Sequence, residues 1–159
     1  MKYAVILIVS LISFFICAEY RAYMKKRLLE CAGFVEFIAH AKIQVGCYLK
    51  PQRELLTGFS SVALESAGFR GMKDGETLSD LFMRCDDRLS LSEEERAVLL
   101  SLFSSFGKGY LEDQLSLIDE SERRMKELYQ RLCEVERKNA RLVPTLFFCG
   151  SAALIIFII

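Results

Sequence analysis

The sequence predicts an all-α membrane protein: two transmembrane helices flanking a cytoplasmic helical bundle, with the last helix a long stalk running into the membrane. Three observations predict it. Residues 3–18 and 142–159 carry no charge, so the apolar residues gather at the two ends of the 159-residue chain. Between them, apolar residues recur every three or four positions, the spacing of one helix face. No alternating strand pattern and no internal repeat competes with that periodicity.

The C-terminal run LVPTLFFCGSAALIIFII has no polar face. A helix needs about 20 apolar residues to cross a hydrocarbon core of roughly 30 Å, so the run is just sufficient. Pro144 falls in its first turns, where a missing N–H is tolerated. The N-terminal run YAVILIVSLISFFICA is shorter, with Lys2 before it and Tyr20 and Tyr23 after it to meet the two interfaces. A cleaved leader is the competing reading, but bulky Ile16 sits badly for cleavage at Ala18. The expected layout is therefore a span over 1–18, a charged helical domain over 19–141 and a second span over 142–159. Arg21, Lys25, Lys26 and Arg27 follow the first span, and Arg137, Lys138 and Arg141 precede the second. By the positive-inside rule the middle faces the cytoplasm and both ends point outward. The Arg21–Arg27 cluster also suits contact with anionic lipid.

Within the middle, Leu28, Val35, Ile38, Val45 and Leu49 predict one helix that continues from the first span until Pro51 stops it. A second helix is expected from Pro51 to about Gly68, burying Leu55, Phe59, Val62 and Ala63. The glycine-rich, charged FRGMKDGE reads as a surface loop. Thr77 is placed to cap a short helix carrying Leu78, Leu81 and Phe82. Ser92 with Glu95 is a capping box opening a helix that breaks at Gly107–Lys108–Gly109. The last helix has a seam of Leu111, Leu115, Ile118, Met125, Leu128, Leu132, Val135 and Leu142. Its outer face offers i,i+4 ion pairs, Glu120 with Arg124, Glu122 with Lys126 and Glu134 with Lys138. Gly107 and Gly109 are read as the reversal between two long helices, and the Gln114 side-chain amide as bonding the exposed backbone of that reversal.

Catalysis finds no foothold. His40 is the sole histidine, with no nucleophile signature beside it, and reads as a half-exposed helix residue. Asp86–Asp87 and Glu93–Glu94–Glu95 are adjacent acids, which suit solvation and capping better than metal binding. Six scattered cysteines make no CxxC pair, and Gly107–Lys108–Gly109 lacks the rest of a phosphate loop. No cofactor or metal is expected. Equal numbers of acidic and basic residues give no basic face for nucleic acid.

FGKGYLEDQ, followed by a charged helix and a terminal uncharged span, resembles the stage III sporulation protein AB family of endospore-forming bacteria. The family motif sets a glycine seven residues before a glutamine, the relation of Gly107 to Gln114, with Tyr110 standing where an acid is common. Tyr48, Pro51 and Leu55 carry a second likeness in the turn after the first long helix. The resemblance implies a place in the channel-like complex between mother cell and forespore, on the mother-cell side in the outer forespore membrane. That family is in turn similar to the inner-membrane platform protein of type II secretion and type IV pilus systems. It implies a non-enzymatic platform docking a secretion-type ATPase and sister stage III sporulation membrane proteins. The residues expected to carry contacts are Gly107, Gly109, Gln114, Leu111, Leu115, Ile118, Met125, Leu128 and Leu132. A homo-oligomer fits the same layout. The alternative is a two-span adaptor or signalling protein that dimerises through its stalk helix.

Overall fold

The computed structural model describes the backbone of residues 2–48 and 51–158, and their side chains except 2–7, 9, 141, 144, 147–148, 151–152 and 154–158. Among the described residues there are five α-helices and no strand: α1 (Lys2–Tyr48), α2 (Val62–Ser66), α3 (Leu78–Cys85), α4 (Glu93–Ser105) and α5 (Leu111–Ile158). Short 3-10 turns stand at Gln52–Glu54 and Asp86–Arg88. The chain divides into two units, Met1–Lys25 with Arg131–Ile159, and Lys26–Gln130.

The Lys26–Gln130 unit holds an aromatic core. Phe34 and Phe37 of α1, Phe82 of α3 and Phe103 of α4 are fully or almost fully buried, together with Phe69 from the loop before α3. Their rings meet mostly edge to face, Phe34 with Phe69 at 5.3 Å, Phe82 with Phe103 at 5.5 Å and Phe37 with Phe103 at 5.9 Å. That geometry sets the positive ring edge against the negative face of the next ring. The buried stripe of α1 is Cys31, Phe34, Ile38, Ala41 and Val45. Leu28 and Val35, expected in it, lie at its margin and are half-buried, and Leu49 lies outside the described residues.

The Ser92–Glu95 capping box forms, and Thr77 caps α3 in a second box with Asp80. The Thr77 hydroxyl oxygen accepts from the Asp80 N–H, and the Ser92 hydroxyl oxygen accepts from the Glu95 N–H. The expected second helix is corrected. Residues 51–61 form a 3-10 turn and irregular chain instead, and α2 begins at Val62, which is 85% exposed. Leu55, Leu64 and Phe69 bury their side chains there, while Phe59 and Ala63 are half-buried. Close approach explains the break in period. A Cβ on Gly33 of α1 would meet Ser61 Oγ at 2.7 Å and Leu64 Cγ at 3.0 Å, so the segment seats on bare α1 backbone.

In the Met1–Lys25 and Arg131–Ile159 unit, the Asn139 side-chain amide donates to Tyr20 Oη at 2.8 Å, tying one helix to the other. Phe14, Phe15 and Leu146 are between 65% and 70% exposed. Among the described residues no helix is long and apolar enough to cross a membrane. Part of the span expected at 1–18 and most of that expected at 142–159, Pro144 included, fall on residues whose side chains lie outside the described ones, as do those of Lys2 and Arg141.

Candidate interaction site

The α4–α5 reversal is built from two glycines in the left-handed region, Gly107 at φ 77° and Gly109 at φ 91°. Only glycine takes that conformation without a Cβ penalty. Gln114 closes the turn: its Nε2 donates to the Gly109 carbonyl at 3.2 Å, while its backbone N–H donates to the Tyr110 carbonyl at 3.1 Å. Beside the reversal lies a shallow apolar notch with no enclosed space, lined by Leu102, Ser105, Phe106, Gln114, Leu117 and Ile118. Tyr110 stands out of the turn, 83% exposed.

The seam of α5 is partly as expected. Ile118, Met125, Leu128 and Leu132 are buried, with Leu115 half-buried. Leu111, Val135 and Leu142 are corrected to exposed positions, at 40%, 45% and 56%. Ser121 takes the buried place between Ile118 and Met125, where a small side chain meets the core. On the seam's edge, Lys42 of α1 pairs with Asp119 at 2.7 Å and Glu122 at 3.4 Å. Glu122 also holds Lys126 at 2.5 Å, and Glu120 holds Arg123 and Arg124. The two pairing cations hold the Glu120 carboxyl below the usual carboxylate range, Arg123 more than Arg124. Among the described residues, Glu134 and Lys138 do not pair with each other.

A polar lock fixes α1 to the start of α4. Arg27 reaches Glu95 through two bonds, 2.8 Å and 3.2 Å. Glu95 is 1% exposed and also accepts from the Ser92 N–H at 2.6 Å. This acid therefore does more than the capping its position beside Glu93 and Glu94 suggests. Glu30 is fully buried, with one oxygen accepting from the Ser90 N–H at 2.6 Å and the other unmatched by any hydrogen bond. Its cation is Lys26, at 3.7 Å. Burial pushes the Glu30 carboxyl up, against the Ser90 N–H and Lys26, which pull it down. Arg96 threads the loop between α3 and α4, gripping Asp86 and donating to the carbonyls of Leu89 and Leu91 at 3.2 Å. Nothing in the sequence pairs Arg27 with Glu95, 68 positions away; the lock was invisible there.

The His40 ring lies against Phe59 with centroids 5.7 Å apart, and its Nε2 is buried without a partner. Burial pushes the Cys85 thiol up, away from the reactive thiolate. Among the described residues no group of three or more His, Cys, Asp or Glu side chains could hold a metal ion.

A comparison with protein families places the chain. A family described as stage III sporulation protein AB matches residues 2–159, the whole chain but Met1. The chain belongs to that family. Stage III sporulation protein AB is a sporulation family and not a known enzyme family, so a role in sporulation follows for this member. Of the pair Gly107 and Gln114, Gly107 turns the chain at φ 77°, while Gln114 bonds the Gly109 carbonyl. Comparisons with curated proteins and with solved structures return no match.

Proposed function

We propose that this chain is a non-enzymatic membrane platform subunit of the channel-like complex between mother cell and forespore. Its two uncharged ends anchor it in the membrane, and the charged helical unit between them faces the cytoplasm to dock a secretion-type ATPase and sister membrane subunits. The observation that carries the reading is the layout of a sporulation-family chain: every charge but Lys2 in the middle, uncharged runs at 3–18 and 142–159, and basic residues inside both. Lipid is a partner in this reading, and nucleic acid is not.

The adaptor alternative needs the α5 seam free for a coiled coil. Ile118, Met125 and Leu128 are instead buried within the chain, which weighs against it.

Topology is tested by a membrane-impermeant thiol label on intact cells. Cys47 is exposed and suits the purpose, whereas Cys85 is buried. A variant keeping Cys47 alone should label only after permeabilisation, and one with Lys2→Cys alone should label from outside. The reverse pattern overturns the orientation. Docking is tested by purifying the tagged chain from sporulating cells in mild detergent, where the ATPase and sister subunits should come with it. A complex repeatedly free of the ATPase ends the docking reading.

A further inference from the structure

Gly33, Phe37, His40 and Gln44 of α1 follow one another at steps of four, three and four, the spacing that lines residues along one strip of a helix. The chain after Pro51 comes down on that strip. Ser61 and Leu64 seat against bare Gly33, and the Phe59 ring meets Phe37 at 5.2 Å and His40 at 5.7 Å. Leu55 of the same segment is fully buried.

The strip carries a cost as well as a seat. His40 Nε2 is buried without a hydrogen-bond partner, and so is Gln44 Oε1, one helical turn further on. A buried polar atom left unmatched has given up its bonds to water and gained none in return. Buried polar groups are nearly always matched, so two on one strip ask for a reason. Uncovering them restores their water.

The covering segment is also loosely tied. Its backbone hydrogen bonds close on itself: the N–H groups of Glu54, Leu55, Thr57 and Phe59 donate to the carbonyls of Pro51, Gln52, Glu54 and Leu56 at 2.9–3.3 Å. Arg53 pairs with Asp74, but both side chains are more than half exposed. Such a pair contributes little. Ser60 donates to nearby Glu65 at 2.8 Å. Apolar contact is therefore what holds the segment down, and its own turns survive without that contact. Units with few bonds to the rest of a fold open ahead of it.

We propose that residues 51–61 form a strap that lifts from α1 as one piece while α3 and α4 stay packed, bringing water to His40 and the strip it belongs to. The strap uses the chain alone and does not depend on the membrane or ATPase readings.

The test is limited trypsin digestion of the purified full-length chain in mild detergent, read peptide by peptide by mass spectrometry. A protease accepts extended chain, so cleavage after Arg53 reports how often the strap is open. His40→Leu keeps bulk against Phe59 and removes the unmatched nitrogen. Cleavage after Arg53 should then slow about tenfold, and Gln44→Met should act in the same direction. Cleavage after Lys108, in the α4–α5 reversal, should stay as it was, with circular dichroism confirming equal helix content. A second measurement needs no protease. In a Leu55→Cys chain, position 55 should take a thiol reagent faster than Cys31 and Cys85, which are 0% and 2% exposed. Unchanged cleavage after Arg53 in both variants, an equal slowing after Lys108, or position 55 reacting in step with Cys31 and Cys85 would each overturn the strap.

Discussion

Glu30 is the residue whose surroundings are least settled by its neighbours. One carboxyl oxygen accepts from Ser90, the other has no hydrogen bond, and Lys26 stands at 3.7 Å. Burial raises this carboxyl above its ordinary value of 4.5. A folded state that holds a proton the unfolded state has released loses stability as pH rises. The loss should begin near the ordinary carboxylate range and continue to the raised value, with a slope of at most about 1.4 kcal/mol per pH unit for one proton. Glu30→Gln keeps an acceptor oxygen for Ser90 and removes the titration. Urea unfolding from pH 5 to 8 should therefore show the wild-type chain losing ground to the variant as pH rises. Parallel profiles would remove Glu30 from the account. Sequence periodicity gave no sign of this site, since the partner that bonds Glu30, Ser90, lies 60 positions along the chain.

At the scale of elements, α5 shows what a sequence pattern can and cannot resolve. Its spacing located Ile118, Met125, Leu128 and Leu132 on the buried side, because a continuous helix keeps its period. It overran at Leu111 and Val135, because where a face stops being covered depends on what packs against it. The segment after Pro51 failed for a related reason. Its seat is the missing side chain of Gly33, and such a close approach leaves no apolar period. The Thr77 cap and the Ser92–Glu95 capping box were legible because their bonding groups lie within four consecutive residues. A contrast along α5 follows. Met125→Ala removes a fully buried side chain and should cost about 2–5 kcal/mol. Glu127→Ala, whose side chain is half-exposed and paired with exposed Arg123, should leave the unfolding midpoint nearly unchanged. Comparable losses at the two positions would mean the seam faces elsewhere.

For the molecule as a whole, the reversal between α4 and α5 was readable from Gly107 and Gly109, and Gln114 does meet the backbone there. The notch beside it was not, because Leu102, Phe106, Leu117 and Ile118 become neighbours only once two helices fold against each other. The core has a consequence of another kind. Cys31 and Cys85 are 0% and 2% exposed, whereas Cys47 is open to solvent. The unaltered chain thus carries its own clock of breathing: a small thiol reagent can modify the sealed cysteines only during excursions that unseal α1 or α3. Cys47 should react at once, and Cys31 and Cys85 at a rate set by how often the folded state opens. Gly33→Ala, which forces Ser61 and Leu64 off α1, should quicken Cys31 while leaving Cys47 unchanged.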